Sequence, residues 1–423
     1  MRIYMFTQKL IIAIYTLTYV IFLARLDPSG FYITIGMILS SMSTFISNIL
    51  MPFIASELSV KRGIFYSYLG IALANIMMLF NHPVIIIFSN LLAMPSSFLM
   101  YYTGYYDVKR TIIDREKGLK NMESASNLGF IVGYLIGLVC TSIYGYIIPV
   151  YIALIVSLLP ILLSTSSSLT YGWRSLRLSN LSIYNIKILP STLNINKYTQ
   201  YSRHKIGIHL LKDLLVIRKK YRRIVYFLAL VSTSIGFSYT YLTPYLVLKG
   251  VESNRIYLFT LIASTSTYFS TELSTKIYSG LRSIPKMLIP RIISYISTLI
   301  FLMFLADLAD FSLFIMYIPI GFSWGFLLAL NSFLLSRVDL REHSKINFYT
   351  GIVNLLTVIV AGIIFYNYGL FPNLIIALVT ISIALIVIYK NPYIIKGYNR
   401  NQHLLHIYLR RIGRTTLQKK VSR

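Results

Sequence analysis

The chain alternates long apolar runs with short polar breaks. Twelve runs stand out, at roughly residues 4–24, 31–54, 64–81, 84–106, 124–143, 146–165, 224–247, 255–273, 287–305, 312–336, 346–366 and 373–390. About 20 apolar residues let a helix cross the hydrocarbon core of a bilayer, so each run predicts one spanning helix. The tightest breaks carry turn residues: Asp27-Pro28-Ser29-Gly30, His82-Pro83 and Asn367-Tyr368-Gly369. Runs five and six are nearly continuous around Gly145. Only the break at 166–223 is long, and it separates six runs from six. The expectation is an all-α polytopic membrane protein of twelve transmembrane helices in two six-helix bundles. Residues 1–165 form the first bundle, 166–223 a basic linker, 224–390 the second bundle and 391–423 a basic tail.

Polarity differs among the runs. Run two holds Ser40, Ser41, Ser43, Thr44, Ser47 and Asn48, and run eight holds Ser264, Thr265, Ser266, Thr267, Ser270 and Thr271. Small and hydroxylated residues suit close helix packing or a water-lined wall. Runs six and twelve are almost uniformly apolar and can face lipid.

Composition agrees with this reading. Of 423 residues 56% are hydrophobic and 13% charged, against about 25% charged in soluble domains. A disordered chain or a soluble enzyme is excluded. Lys and Arg total 40 against 13 Asp and Glu, a net charge of +27. With the N-terminus in the cytoplasm, 36 of the 40 basic residues fall at or next to cytoplasmic segments. Only Arg25, Lys249 and Arg255 fall outside, and Arg291 lies in run nine. This asymmetry predicts a multi-pass protein of the cell membrane with both termini cytoplasmic. It also accounts for the charge without nucleic acid. The single cysteine, Cys140, allows no disulfide within the chain. In the tail, Leu404, Leu405, Tyr408, Leu409 and Ile412 form a stripe beside Arg410, Arg411 and Arg414, the pattern of an interfacial helix held by anionic lipid.

The two halves echo each other. Glu57-Leu58-Ser59-Val60-Lys61 follows run two, and Glu272-Leu273-Ser274-Thr275-Lys276 follows run eight. Arg115-Glu116 precedes run five and Arg341-Glu342 precedes run eleven. Matches at equivalent places suggest duplication. In each acid–lysine segment the spacing of four predicts pairing along one helical turn.

With these residues in place the chain resembles the major facilitator superfamily. The loop after run two reads Ser56-Glu57-Leu58-Ser59-Val60-Lys61-Arg62, similar to that family's acid and basic pair, although its glycines are missing. Arg115-Glu116-Lys117-Gly118 leads to Gly129, Gly133 and Gly137, similar to the family's entry to span five. Tyr241-Leu242-Thr243-Pro244 at the end of span seven is also similar. The resemblance implies a transporter whose two bundles rock about a central cavity. Spans one, four, seven and ten would line the cavity, and two, five, eight and eleven would form the moving interface. It makes Glu57, Lys61, Arg62, Arg115, Glu272, Lys276 and Arg341 candidates for an inside gate. Gly129, Gly133 and Gly137 become the face that packs on the other half.

Candidate cavity residues are Tyr15, Tyr19, Asn90, Tyr101, Ser238, Tyr239, Tyr241, Trp324 and Asn331, a set suited to an uncharged or amphipathic solute. No Asp, Glu or His falls in the middle of a run, and Asp27, Asp307 and Asp310 fall near run ends. Proton relays in membranes use such groups, so the expectation is facilitated diffusion, or coupling without a buried carboxylate. Arg291, near the start of its run, is expected to snorkel to the interface. No nucleotide-binding loop or paired catalytic acids occur, and neither a cofactor nor a metal is expected. The function read from the sequence is a monomeric secondary transporter of a small organic solute. A transporter-like receptor or a lipid scramblase is the alternative, and a polytopic membrane enzyme the remote one.

Overall fold

The computed structural model describes residues 1–111, 115–162, 219–280, 284–305, 310–337 and 340–390. Most of the expected linker and the whole expected tail lie outside the described residues. The described chain is twelve α-helices: α1 (Arg2–Leu26), α2 (Phe31–Glu57), α3 (Val60–Leu79), α4 (Pro83–Thr111), α5 (Arg115–Ile143), α6 (Ile148–Leu162), α7 (Lys219–Leu248), α8 (Ser253–Gly280), α9 (Ile284–Leu305), α10 (Asp310–Arg337), α11 (Leu340–Tyr368) and α12 (Leu370–Lys390). Each coincides with one apolar run and extends most of them by a few residues. Eight are long and apolar enough to cross a membrane. The Ser- and Thr-rich α8 is long but falls short in apolarity. Together they make a multi-pass membrane protein.

Backbone signals set the breaks. Gly30 (φ 79°) takes the left-handed conformation that turns α1 into α2, at a position where any side chain is strained. Gly145 (φ 87°) separates α5 from α6 in the same way, which settles the doubtful split between runs five and six. Between α2 and α3, Leu58 and Ser59 are extended, and the Ser59 hydroxyl caps α3 by accepting from the Arg62 N–H at 3.4 Å. This corrects the one-turn pairing expected for Glu57 and Lys61. Glu57 ends one helix and Lys61 begins the next. Glu272 and Lys276 do lie within one helix, α8.

Consecutive helices reverse direction. One end of the molecule, here the basic end, carries the α2–α3 break. The other, charge-poor end carries the breaks at 27–30, 80–82, 144–147 and 249–252. Packing repeats along the chain: α1 lies against α5, and α4 against α2 and α3, while α7 lies against α11, and α10 against α8 and α9. Two extensive contacts join early helices to late ones, α2 with α11 and α5 with α8. The apolar clusters follow the same division. One is built from α7 to α12, and three draw their buried members from α1 to α6. Among the described residues one cluster mixes buried members of both: Ala13, Leu17, Ile21 and Tyr134 with Ile256 and Tyr257.

α1 is the most enclosed helix, with 78% of its apolar window buried against 28% in α2. α12 exposes Phe371, Ile375, Val379, Ile383 and Ile386 along one stripe, and α6 exposes Tyr151, Ile155, Leu158 and Leu162. Stripes at this spacing present one apolar face outward, where lipid can cover it. The hydroxyls of α8 serve packing. Thr267 donates to the Gly321 carbonyl at 3.0 Å, and a side chain at Gly321 would meet the Ala263 carbonyl.

Candidate functional site

Polar side chains gather in several places inside the described helices, and three of these hold sequence candidates. The first joins α1, α2 and α4. The Tyr15 hydroxyl lies 2.5 Å from the Ser89 hydroxyl and donates to Asn90 Oδ1 at 3.2 Å. Tyr19 stacks on Tyr15 with centroids 6.0 Å apart. Ser43 of α2 donates to the Asn90 carbonyl at 3.1 Å. Asn90 Nδ2 completes no hydrogen bond among the described residues, and the Tyr19 hydroxyl is its electrostatic neighbour. Three of the sequence candidates, Tyr15, Tyr19 and Asn90, therefore meet, and all are buried.

The second gathers α1, α4 and α5 nearer the basic end. Lys9 Nζ donates to the Ser97 hydroxyl at 2.8 Å and sits 5.7 Å from the Phe130 ring centroid, within cation–π range. Glu123 is buried and acts electrostatically on Lys9. The Tyr101 hydroxyl donates to Glu123 Oε1 at 3.0 Å. Of these groups Tyr101 was a sequence candidate, whereas Lys9 and Glu123 were not. The expectation that no carboxylate lies buried in a span is corrected here. α5 starts at Arg115, so Glu123 is two turns inside a 29-residue helix rather than just ahead of a run. Lys9 is likewise inside α1, and Lys345 of α11 is buried too. Both had been counted with the cytoplasmic charges.

The third lies in α7, α9 and α10. Tyr295 donates to the Ser234 carbonyl at 2.7 Å and bonds the Ser238 hydroxyl. Tyr239 meets Tyr295 edge to face at 4.9 Å and stacks on Trp324 at 6.4 Å. Arg291 is 3% exposed, and its guanidinium lies 5.9 Å from the Trp324 ring centroid. The expectation of snorkelling is corrected, because Arg291 faces the aromatic side chains of α7 and α10. Tyr241 stands apart, donating to the Val358 carbonyl at 2.9 Å and stacking on Phe365 at 5.0 Å. It ties α7 to α11 rather than joining this group. The Asn331 side chain lies outside the described residues.

At the charge-poor end the early and late helices lock together. The Tyr257 hydroxyl of α8 lies 2.7 Å from the Thr18 hydroxyl and donates to the Ile14 carbonyl of α1 at 3.2 Å. A side chain at Gly137 would run into the Tyr257 ring. Gly129 and Gly133 instead face α1, where a methyl group would meet the carbonyls of Phe6 and Leu10. The expectation that all three glycines pack on the other half is thus corrected. At 100° per residue, a spacing of four rotates each successive glycine by 40°, which carries Gly137 from α1 round to α8. Toward the basic end, Asn127 of α5 donates to Thr271 of α8 at 3.3 Å, and Phe45 of α2 packs on Phe348 of α11 at 5.8 Å.

Among the gate candidates, Glu57, Lys61 and Arg62 are exposed and Glu272 is half-buried. The side chains of Arg115, Lys276 and Arg341 lie outside the described residues. Asp27, at the charge-poor end, accepts from the Ser29 hydroxyl at 2.5 Å, the Ser29 N–H at 3.0 Å and the Tyr32 N–H at 2.9 Å. Slight burial pushes its carboxyl up, but these hydrogen bonds outweigh it and hold the group below the usual carboxylate range.

No family model matches the sequence, and no curated protein matches it. Solved structures do. A nucleoside transporter, NupG, superposes with a TM-score of 0.61 at 14% identity, over 93% of this chain and 98% of that one. A peptide transporter, POT, bound to alafosfalin gives 0.59 at 12% identity, over 94% and 96%. The same transporter bound to sulfate gives 0.60 at 12% identity. The fold is that of the major facilitator transporters. The match runs through nearly the full length of both chains. It agrees with the resemblance read from Glu57, Arg62 and the α5 glycines. The polar groups of α1, α4, α7 and α10 are this chain's own, since sequence identity this low carries no residue roles across.

Proposed function

We propose that the chain is a secondary transporter that carries a small organic solute by alternating access. Two six-helix bundles, residues 1–165 and 224–390, would rock against each other, with the basic end in the cytoplasm of the cell. The observation that carries this reading is the divided core. Apolar clusters stay within the early or the late helices, and the one strongly mixed cluster sits at the charge-poor end. Packed cores do not deform continuously, so motion concentrates where they are divided. Small residues and single hydrogen bonds at the α5–α8 contact suit a surface that opens and closes. Tyr15, Tyr19 and Asn90 on one side, with Tyr239 and Trp324 on the other, would contact the solute. The structural neighbours are a nucleoside transporter and a peptide transporter, so these two solute classes are the first to test.

The experiment is a thermal-shift screen of the purified protein followed by flux in proteoliposomes. A solute present at about 100 times its Kd stabilises by about 2.7 kcal/mol. A stabilising solute that also enters the vesicles supports the reading. Stabilisation without flux would favour a receptor, and lipid redistribution without solute flux would favour a scramblase.

A further inference from the structure

The solute site read from the sequence is neutral, and Arg291 does not fit it. This arginine stands two turns into α9 and is buried. Charge at such a depth in a membrane is costly and is kept where it pairs or serves function. α9 packs against α10, α12 and α7. α9, α12 and α7 contain no Asp or Glu, and α10 has one, Asp310, its first residue. Asp310 precedes Trp324 by 14 residues, about 21 Å along the helix. None of these helices therefore brings a carboxylate to the level where the guanidinium meets the Trp324 ring. Neutral oxygens of the fold can share its five N–H groups, but they leave the positive charge uncancelled. The space beside it opens inward. Trp324 is 38% exposed, and Ile315 and Ile318 of the same helix are exposed too. At 100° per residue, Trp324 lies half a turn round from Ile315 and a third of a turn from Ile318. Its open surface thus faces away from the apolar stripe that lipid can cover, on the side where it stacks on Tyr239 of α7.

We propose that Arg291, Trp324 and Tyr239 form the binding site for a monoanionic aromatic carboxylate. This deepens the transporter reading by naming the class of solute, and rests on that reading for movement across the membrane, though not for binding. One cation suits one negative charge, and the guanidinium fork matches the two oxygens of a carboxylate. The rings of Trp324 and Tyr239 suit a planar body. Tyr295 fixes the floor of the site. It bonds the Ser238 hydroxyl and the Ser234 carbonyl of α7, and Tyr239 rests edge to face against it. In the state seen here the guanidinium lies within cation–π range of the Trp324 ring, 5.9 Å from its centroid. On binding, the carboxylate takes the guanidinium and the indole turns to lie on the solute. The cationic group then loses its ring and gains an anion, and the indole exchanges a charged neighbour for a neutral one.

Fluorescence tests this. The chain has two tryptophans, so with Trp173 replaced by phenylalanine the emission reports Trp324 alone. Benzoate and benzamide share one flat body and differ in charge, and acetate has the charge without the ring. Each is titrated at neutral pH into the purified Trp173→Phe protein. Benzoate is expected to change Trp324 emission saturably, with benzamide and acetate each at least about tenfold weaker. In the same background, Arg291→Gln should lower the affinity for benzoate to that for benzamide. Arg291→Lys, which keeps the charge without the fork, should fall between the two. The proposal is overturned if benzoate gives no saturable response, if benzamide or acetate binds as tightly as benzoate, or if the preference for benzoate survives Arg291→Gln. Should gel filtration show that Arg291→Gln does not fold, Arg291→Lys decides, and an unchanged affinity for benzoate there overturns the proposal. Uptake of radiolabelled benzoate by proteoliposomes is then measured against protein-free vesicles, which give the passive entry of the acid. Benzoate that binds as expected but enters no faster than into the protein-free vesicles leaves the site standing and counts against the transporter reading alone.

Discussion

Gly133 and Gly137 sit one turn apart on α5, yet the same substitution should act differently at each. At Gly137 an added methyl group would overlap the ring of Tyr257, with Cδ1 at 2.5 Å and Cζ at 2.7 Å. Overpacking of this kind costs about 1–3 kcal/mol. Tyr257 belongs to α8, so the cost falls only on the state in which the charge-poor end is closed. At Gly133 the methyl group would meet the Leu10 carbonyl at 2.5 Å and Ala13 Cβ at 2.7 Å. Those atoms belong to α1, which stays with α5 in both states of the proposed cycle. The helix propensity gained by alanine, about 1 kcal/mol, is common to both states and cancels in their equilibrium. Taking a cost of about 2 kcal/mol, Gly137→Ala shifts the closed-to-open ratio about 30-fold toward open at the charge-poor end. Gly133→Ala should leave that ratio alone and lower thermal stability modestly. The assay is pulsed electron spin resonance between labels at Tyr144 and Glu252, which are exposed at the ends of α5 and α8. Cys140 is buried and is first changed to serine. A longer distance population should grow in Gly137→Ala alone. An unchanged distribution in Gly137→Ala, or equal widening in both variants, would refute the argument that Gly137, and not Gly133, faces across the divide.

Three further outcomes follow from single contacts. Tyr257→Phe removes the hydroxyl that meets Thr18 and the Ile14 carbonyl, and should weaken the closed state by about 0.5–1.5 kcal/mol; labelling of a cysteine at Ile14 from the charge-poor side should speed up accordingly. Asp27 has a folded carboxyl pKa below its unfolded value, so its stabilisation is present above about pH 4 and is lost as pH falls through the lower folded value. The melting temperature should therefore drop with acid in the wild type, and less steeply in Asp27→Asn. Arg291→Lys keeps the charge but loses the planar face toward Trp324; quenching of Trp324 fluorescence should change, while a snorkelling Arg291 would leave it unaltered.

The helices were legible because each apolar run is close to the length a bilayer demands. Gly30 marked its turn plainly, whereas the break at Gly145, where runs five and six are nearly continuous, became plain only in the fold. What the pattern hid was the extent of the helices beyond hydrocarbon length. Glu123 and Lys9 fell at the edges of runs and were read as flanking charge. In the fold those edges lie inside α5 and α1, enclosed by protein rather than by lipid or water. Arg291 misled for a related reason, since its depth along α9 suggested the interface while its direction is set by packing on α7 and α10. The glycine face was legible as packing, but which helix each glycine meets depends on a 40° drift that spacing alone does not reveal. The aromatic candidates divided similarly. Tyr15, Tyr19 and Asn90 converge, whereas Tyr241 has every property of a cavity residue in sequence and is spent on the α7–α11 contact.

Alternating access is most directly tested by counterflow. Proteoliposomes are loaded with a high concentration of the solute found by thermal shift and diluted into a trace of its labelled form, with no ion gradient. The account predicts a transient accumulation of label above equilibrium that decays as the internal pool empties. It also predicts that the overshoot disappears when the charge-poor end is cross-linked between cysteines at Thr18 and Tyr257. Label that merely equilibrates, with no overshoot and no effect of the cross-link, would contradict a carrier that exposes one site to each side in turn.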